Sequence, residues 1–207
     1  MQEAIVDDLT AIKGLLAGAA PVTWVFAGDS IVQAARWTEG ARGYVELFSE
    51  RVRYECGRSL DAVINTGVSG WRSADLAAHL DRAVLRHAPD VTVIGLGTND
   101  AKDLPVDEYV AVMVPIIARV REAGSRMALQ TPVPGPIEGI PAYAAAIREL
   151  AAEQGTALVD HHARWQPADP RWYGDPTHPN AEGHRVMART LIDALGVPGC
   201  KQAPATA

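Results

Sequence analysis

Apolar residues occur along the chain in two kinds of pattern that alternate with one another. Runs of the first kind are short and continuously apolar, which is typical of strands in a parallel sheet covered on both faces. There are five of them, at residues 22–27, 62–65, 91–96, 126–130 and 157–159. In the second kind the apolar residues recur every three or four positions, as on one face of a helix. Strands that alternate with helices predict an α/β fold with a five-stranded parallel sheet.

Three of the helical patterns have a recognisable start or interruption. The pattern at 73–87 begins at Ser73, which is predicted to be the N-cap of that helix. The last helix is predicted to start at Asn180. A further pattern at 106–122 contains Pro115, which removes a backbone donor and therefore predicts a kink or a late start of that helix.

The expected architecture is a flavodoxin-like three-layer α/β/α sandwich, because right-handed crossovers place helices on both faces of the sheet. No linker interrupts the alternation, and a content of 48% hydrophobic and 21% charged residues suits one globular domain. We therefore predict a single domain over residues 1–200 and a flexible C-terminal tail at 201–207. Ligands of such folds bind beyond the carboxyl ends of the strands. The segments there are GDS at 28–30, TGVSGW at 66–71, GTND at 97–100, TPVPGP at 131–136 and DHHARW at 160–165.

A net charge of −6 argues against a nucleic-acid partner, because the Lys and Arg residues are scattered and form no basic cluster. No apolar run is long enough to span a membrane, and the N-terminal residues are acidic where a signal peptide is basic. Cys56 and Cys200 are too few for a disulfide framework and lack metal-ligand spacing. They are interpreted as unpaired thiols of a cytoplasmic protein, with Cys56 as an alternative nucleophile. Nothing in the sequence predicts the oligomeric state.

Ser30 follows the first predicted strand directly, after Gly28 and Asp29. By itself it is interpreted as a turn or N-cap residue, but a second feature changes that interpretation. Near the C-terminus, WYGDPTHPN places Asp175 three residues before His178, in a loop ahead of the last helix. A nucleophilic hydroxyl needs a general base, and the base needs an acid that orients it. His178 and Asp175 could supply both from one turn, which makes Ser30 a candidate nucleophile.

Acyl transfer also needs hydrogen-bond donors for the negative charge that develops on the carbonyl oxygen. Gly67 in NTGVSG can present a backbone N–H group without a side chain that blocks the approach. Asn99 in GTND can donate from an uncharged side-chain amide. Both residues lie in loops that follow strands, so the predicted fold brings them to the same edge of the sheet as Ser30.

Four blocks of the sequence together resemble the SGNH or GDSL-type hydrolases. They are GDS at 28–30, NTGVSG at 65–70, GTND at 97–100 and DPTHPN at 175–180. They occur in the order of that family and span nearly the whole chain. The first block continues with Ile31 where the family name has leucine, which is a volume-conserving change. No G-x-S-x-G elbow is present, which disfavours an ordinary α/β-hydrolase fold.

The resemblance implies a role for each candidate residue. Ser30 is expected to be the nucleophile and one oxyanion donor, with Gly67 and Asn99 as the other donors. His178 and Asp175 are expected to be the general base and its orienting acid. The implied protein is a metal-independent serine esterase without a cofactor, acting on small-molecule acyl esters. Acetyl-like groups on carbohydrate-like compounds are favoured, because the short chain has no extended apolar segment for a fatty acyl chain. Thioesterases, lysophospholipases and acyltransferases of the same family are alternatives.

Other polar residues of the same loops have structural interpretations. Asp29 and Asp100 are expected to hydrogen-bond loop backbone. His161 and His162 could form a metal pair, but a third ligand at suitable spacing is missing, so a surface loop at the rim is favoured. His184 is expected to be an exposed or partly packed residue of the last helix.

Four aromatic residues flank the candidate loops, where they could line an acyl or sugar pocket or pack into the core: Trp37, Trp71, Trp172 and Tyr173. Trp71 is the candidate for a substrate contact, because it shares a loop with Gly67. Two interpretations without catalysis are also open. A nucleotide, flavin or phosphoacceptor module would fit the sheet, but the dinucleotide and P-loop motifs are absent after the first strand. An inactive hydrolase scaffold is disfavoured, because every candidate catalytic position holds a competent residue.

Overall fold

A five-stranded parallel sheet forms the centre of the computed structural model, which describes residues 7–199. The strands, in chain order, are β1 (Thr23–Gly28), β2 (Ala62–Asn65), β3 (Val91–Gly95), β4 (Arg126–Gln130) and β5 (Ala157–Val159). Their order in the sheet is β2-β1-β3-β4-β5, and all neighbours pair in parallel. The predicted fold class is confirmed, and each strand agrees with its predicted bounds to within one residue. The predicted tail at 201–207 and Cys200 lie outside the described residues, and the single domain over 1–200 stays a prediction.

Helices follow the strands on both faces of the sheet. They are α1 (Asp8–Ala17), α2 (Ser30–Gln33), α3 (Tyr44–Glu50), α4 (Ser73–Ala83), α5 (Val106–Glu122), α6 (Ile140–Gln154), α7 (His161–Arg164) and α8 (Ala181–Leu195). Short 3₁₀ turns lie at Leu85–His87, Asp100–Lys102 and Pro170–Trp172, and one π-helical turn at Arg51–Glu55. Between residues 7 and 199, no helix combines the length and the apolar character needed to cross a bilayer. The predicted cytoplasmic location stays a prediction.

Side chains alternate between two cores because successive residues of a strand point to opposite faces of the sheet. Trp24 and Phe26 of β1 join the core beneath α1, α3 and α8. Val25 and Ala27 of the same strand join the core beneath α4, α5 and α6. The sheet is therefore covered on both faces, which explains why its strands are continuously apolar in sequence.

The ends of the helices follow the sequence signals with two differences. The N-cap of α4 is Arg72, not Ser73 as predicted. Ser73 is the first helical residue, and its N–H and hydroxyl groups both donate to Asp100 Oδ1, at 2.9 and 2.6 Å. Helix α5 begins at Val106, so the predicted late start is wrong. Pro115 lies on the exposed side of α5, where water can bond the carbonyl that loses its partner.

The predicted start of the last helix is confirmed. Asn180 is the N-cap of α8, and its Oδ1 accepts hydrogen bonds from the N–H groups of Glu182 and Gly183, at 3.0 and 3.1 Å. This cap fixes the point at which the preceding loop, which contains Asp175 and His178, enters the helix.

Candidate active site

Ser30 stands at a sharp turn between β1 and α2. Gly28 ends the strand, and a Cβ atom at that position would lie 2.2 Å from the Gly95 carbonyl oxygen of β3, so only glycine fits there. Asp29 is the N-cap of α2, and its Oδ1 accepts the N–H group of Ile31 at 2.8 Å. Ser30 is then the first residue of the helix and is almost fully buried. The expected structural role of Asp29 is confirmed.

The structure brings Ser30, His178 and Asp175 together although the serine and the histidine lie 148 residues apart. Ser30 Oγ is 2.9 Å from His178 Nε2. His178 Nδ1 lies 2.9 Å from Asp175 Oδ1 and 2.8 Å from Oδ2. With the Nδ1 proton facing the carboxylate, Nε2 is left to accept the proton of the serine hydroxyl. This arrangement can perform general-base activation of a nucleophile.

The loop that carries the last two residues is folded upon itself. The N–H group of Gly174 donates to the His178 carbonyl at 2.8 Å, and Tyr173 and Pro179 form an antiparallel bridge. Asp175 Oδ1 also accepts the N–H groups of Thr177 and His178, both at 2.8 Å. Burial acts to raise the pKa of Asp175, but these N–H groups and His178 outweigh it and lower that pKa to about 2. The carboxylate is therefore ionised at any pH at which the histidine can work.

Gly67 lies where its loop crosses the end of α2. A Cβ atom at Gly67 would lie 2.6 Å from the Gln33 backbone nitrogen, so the close approach of the two segments requires glycine. The next residue, Val68, donates its N–H group to the Gly28 carbonyl at 2.9 Å, which ties the loop to the strand before Ser30. The Gly67 N–H group donates to Asn65 Oδ1 at 3.0 Å. A bound oxyanion would have to share or replace that acceptor.

The amide of Asn99 is held at both of its ends. Its Nδ2 donates to the Trp71 carbonyl at 3.1 Å, which leaves the second Nδ2 hydrogen available to a ligand. Its Oδ1 accepts from Lys102 Nζ at 2.9 Å. Lys102 was not identified from the sequence, although its position three residues after Asn99, in a helical turn, is a signal that could have indicated the contact.

The side chain of Trp71 packs mainly against other side chains of the protein. Its indole ring stacks on the His79 ring, with centroids 5.7 Å apart and planes 16° apart, and it packs against the core beneath α4. It also lines a cavity of about 360 Å³ together with Gly67, Arg82 and Arg86. A substrate contact by Trp71 stays a prediction.

Trp37 makes a contact with the candidate base that no sequence pattern indicated. Its ring lies parallel to the His178 imidazole, with the centroids 3.4 Å apart and the planes 5° apart. Trp37 lies in the segment between α2 and α3, and it is half-buried. The sequence placed it near the catalytic loops without specifying what it would touch.

Two carboxyl groups are buried behind Ser30. Burial, with the nearby charge of Asp100 as a smaller effect, raises the pKa of Asp29 to about 6. Asp100 is fully buried and accepts the N–H and hydroxyl groups of Ser73. Both side chains hold loop backbone in place, as expected from the sequence.

His161 is not at the surface, as predicted, but buried with 1% of its area exposed. Its Nε2 lies 2.8 Å from Gln130 Oε1, and the Gln130 amide donates to the Tyr44 hydroxyl at 2.9 Å. Burial lowers the pKa of His161 to about 3, so the imidazole is neutral. His162 beside it is half-buried, and among residues 7–199 no group of three or more His, Cys, Asp or Glu side chains could hold a metal ion.

His184 is also buried, contrary to the expectation of an exposed or partly packed side chain. Its Nδ1 accepts the N–H group of Tyr44 at 3.2 Å, and the two rings stack with centroids 5.9 Å apart. Burial lowers the pKa of His184 to about 4. The alternative nucleophile Cys56 lies at the other edge of the sheet, since it lines a cavity with Pro21, which precedes β1.

Comparison with known proteins identifies relatives along most of the chain. Residues 26–186 match the model of the GDSL-like lipase/acylhydrolase family. An acetylxylan esterase of Geobacillus stearothermophilus is 28% identical in an alignment of 208 positions, which covers 83% of this chain and 93% of that protein. The crystal structure of Axe2, an acetylxylan esterase from the same organism, superposes with a TM-score of 0.76 at 23% identity and covers 88% of this chain and 97% of its own. LAE5, an alpha/beta hydrolase enzyme from the metagenome of Lake Arreo, superposes with a TM-score of 0.73 at 27% identity, over 87% of this chain and 97% of its own.

Proposed function

Because the chain belongs to the GDSL-like lipase/acylhydrolase family and is a hydrolase of ester bonds, we propose that it is a serine esterase that removes acetyl-like groups from carbohydrates. Ser30 is the nucleophile, His178 the general base, and Asp175 the acid that orients His178. One observation carries this assignment: the continuous hydrogen-bond chain from Ser30 Oγ through His178 to Asp175, with links of 2.9 and 2.8 Å.

The reaction proceeds through an acyl-enzyme. Ser30 Oγ attacks the acyl carbonyl while His178 Nε2 takes the hydroxyl proton, and the imidazolium that forms is stabilised by Asp175. His178 then gives this proton to the oxygen of the leaving alcohol as the C–O bond breaks. A water molecule, deprotonated by the same histidine, then attacks the acyl-enzyme. The bond between the acyl carbon and Ser30 Oγ breaks, His178 returns the proton to Ser30 Oγ, and the carboxylic acid leaves. The base activates the nucleophile, so the steps require neither a metal nor an organic cofactor.

Three donors stabilise the tetrahedral oxyanion in this proposal: the N–H groups of Ser30 and Gly67 and the side-chain amide of Asn99. The N–H group of Ser30 belongs to the first turn of α2, where backbone donors have no partner within the helix. The Asn99 amide is fixed in orientation by Lys102 and by the Trp71 carbonyl. Donors fixed before the reaction stabilise the charge most effectively, because they need not reorganise.

A small ester substrate fits the surroundings of the triad. An open cavity of about 570 Å³ adjoins Asp175 and is lined by Pro134, Pro136, Pro170 and Tyr173. This volume is in the range of small-molecule sites. The carbohydrate part of the proposal rests on the acetylxylan esterase relative, which covers most of the chain.

The test compares hydrolysis of p-nitrophenyl acetate, butyrate and octanoate and of acetylated xylo-oligosaccharides. The Ser30→Ala variant should lose activity by at least about 10³-fold, because without the hydroxyl no acyl-enzyme forms. Ser69→Ala is the matched control, since Ser69 is a second, exposed serine at the same rim and should retain wild-type activity. A fluorophosphonate probe should label the wild type and Ser69→Ala but not Ser30→Ala.

Equal rates in wild type and Ser30→Ala would contradict the proposal. A rate that rises with acyl chain length, with no acetate released from the oligosaccharides, would contradict the substrate class while leaving the serine mechanism intact. Acetyl transfer to an added alcohol in place of acetate release would identify an acyltransferase.

A further inference from the structure

The stacking of Trp37 on His178 gives the tryptophan a role in the reaction. We propose that Trp37 is a positioning residue, which holds the imidazole in the plane where Nε2 faces Ser30 Oγ. The inference rests on the proposed role of His178 as general base. Trp37 acts through His178 and not by touching the substrate.

The hydrogen bonds between His178 and Asp175 leave one motion of the ring unrestrained. Nδ1 is nearly equidistant from the two Asp175 oxygens, at 2.9 and 2.8 Å. The carboxylate therefore holds this nitrogen, but it does not fix the rotation of the ring about the line that joins Nδ1 to the carboxylate. The χ2 torsion of histidine has a broad minimum and adds little restraint. A flat ring packed parallel to the imidazole at 3.4 Å blocks that rotation on one side.

The loop that bears the triad acid needs such support. The Asp175 side chain is 37% exposed, so the neighbouring core does not enclose it. Trp37 contacts this loop at a second point besides His178. A Cβ atom at Gly174 would lie 3.3 Å from both Cβ and the carbonyl oxygen of Trp37, so the backbone beside Asp175 packs directly against Trp37.

The geometry disfavours Trp37 as a platform for a sugar ring. The imidazole covers one face of the indole, and the guanidinium carbon of the exposed Arg36 lies 5.8 Å from the centroid of the indole, over the ring. The face that His178 covers is therefore not available for a substrate to stack upon.

The stack also matches the charge that the reaction creates. His178 is neutral before the reaction and becomes an imidazolium when it takes the Ser30 proton. The face of an indole attracts a cation more strongly than a neutral ring. The contact is therefore stronger in the transition state than in the resting enzyme, which is the condition for an interaction to raise kcat.

The first experiment tests the stack without relying on activity. In NMR spectra of the full chain, the ring protons of His178, assigned by their absence in His178→Gln, should lie upfield because of the indole ring current. They should move downfield in Trp37→Leu and keep most of the upfield shift in Trp37→Phe. His178 protons that do not move in Trp37→Leu would overturn the inference.

The second experiment measures kinetics on p-nitrophenyl acetate. Trp37→Leu should lower kcat by about 10- to 100-fold with little change in KM, and Trp37→Phe should recover most of the loss. Inactivation by a fluorophosphonate should slow in parallel. Tyr54→Leu is the control for the loss of an aromatic ring, because Tyr54 is 78% exposed and should leave kcat unchanged.

Two kinetic outcomes would contradict the inference. A rise in KM at constant kcat would make Trp37 a substrate contact, and an unchanged kcat would mean that the stack has no role. If Trp37→Leu fails to fold in a thermal melt, Trp37→Met, which also lacks an aromatic ring, takes its place in both experiments and should show the changes expected of Trp37→Leu. An inactive wild type whose His178 protons still show the upfield shift would refute the esterase and not the stack.

Discussion

Replacing His161 by glutamine should make the protein less sensitive to acid. The folded protein buries this imidazole, which lowers its pKa from 6.5 to about 3. Below pH 6.5 the unfolded chain therefore binds a proton that the folded protein excludes, and the free energy of unfolding falls as the pH drops toward 3. Glutamine has no proton to bind, and its amide can donate to Gln130 Oε1 in place of Nε2.

The size of the effect follows from the two pKa values. Between pH 7 and pH 4.5, the His161 shift to a pKa of about 3 removes about 2.5 kcal/mol from the free energy of unfolding. The variant should lack this loss. It should still lose stability through His184, whose pKa of about 4 gives an effect of the same sign. The comparison therefore concerns the difference between two pH profiles, not the absence of pH dependence.

Urea unfolding followed by tryptophan fluorescence at pH 7.0, 6.0, 5.0 and 4.5 measures both profiles. The profile of His161→Gln should be flatter than that of the wild type by about 2.5 kcal/mol over this range. His162→Gln is the matched control: His162 is the half-buried neighbour, and this variant retains the pH dependence that His161 contributes. Parallel profiles for the wild type and His161→Gln would refute the assignment of a buried neutral imidazole.

Three further variants test the support of the candidate site. Lys102→Met should lower kcat on p-nitrophenyl acetate by about 10-fold, because the Asn99 amide loses a charged partner at 2.9 Å; unchanged kcat would remove Lys102 from the site. Gly67→Ala should lower the free energy of unfolding by about 1 to 3 kcal/mol, since its Cβ atom would lie 2.6 Å from the Gln33 nitrogen; an unchanged urea midpoint would contradict the close approach. Burial raises the pKa of Asp29 to about 6, so the free energy of unfolding of the wild type should fall by about 3 kcal/mol as the pH rises from 3 to 7. A urea series on Asp29→Asn should show no such fall. Identical pH profiles would refute the burial of that carboxyl group.

The sheet and the positions of its strands along the chain could be predicted from the sequence because the central strands β1, β3 and β4 are buried on both faces. A strand covered in this way is apolar at nearly every position, so it can be recognised from its own residues alone. The run before Ser30 is an example: five of the six residues of β1 are buried. The convergence of Ser30, His178 and Asp175 could be predicted for a related reason, since parallel strands end at one edge and Asp175 reaches His178 within a single turn.

Apart from the start of α5, the predictions that were wrong concern polar side chains whose partners are distant in the chain. Ser73 has the sequence signal of an N-cap, but Asp100, 27 residues away, takes both of its donors and moves the start of α4 by one position. A surface loop was favoured for His161 because no third metal ligand lies at suitable spacing in the sequence. Gln130, 31 residues earlier, provides a buried hydrogen-bond partner. This bond offsets the free energy that the imidazole loses when it is removed from water.

Residues outside the four sequence blocks hold the candidate catalytic groups in place, and two of these contacts join residues that are distant in the chain. Trp37 lies far in sequence from the His178 ring that it covers, and the Asn99 amide is held by Lys102 and by the Trp71 backbone. None of these contacts appears in the four sequence blocks. A motif identifies which groups can react, whereas the accuracy of their alignment depends on packing from outside the motif. Substitution of Trp37 or Lys102 should therefore lower kcat while every motif residue stays in place.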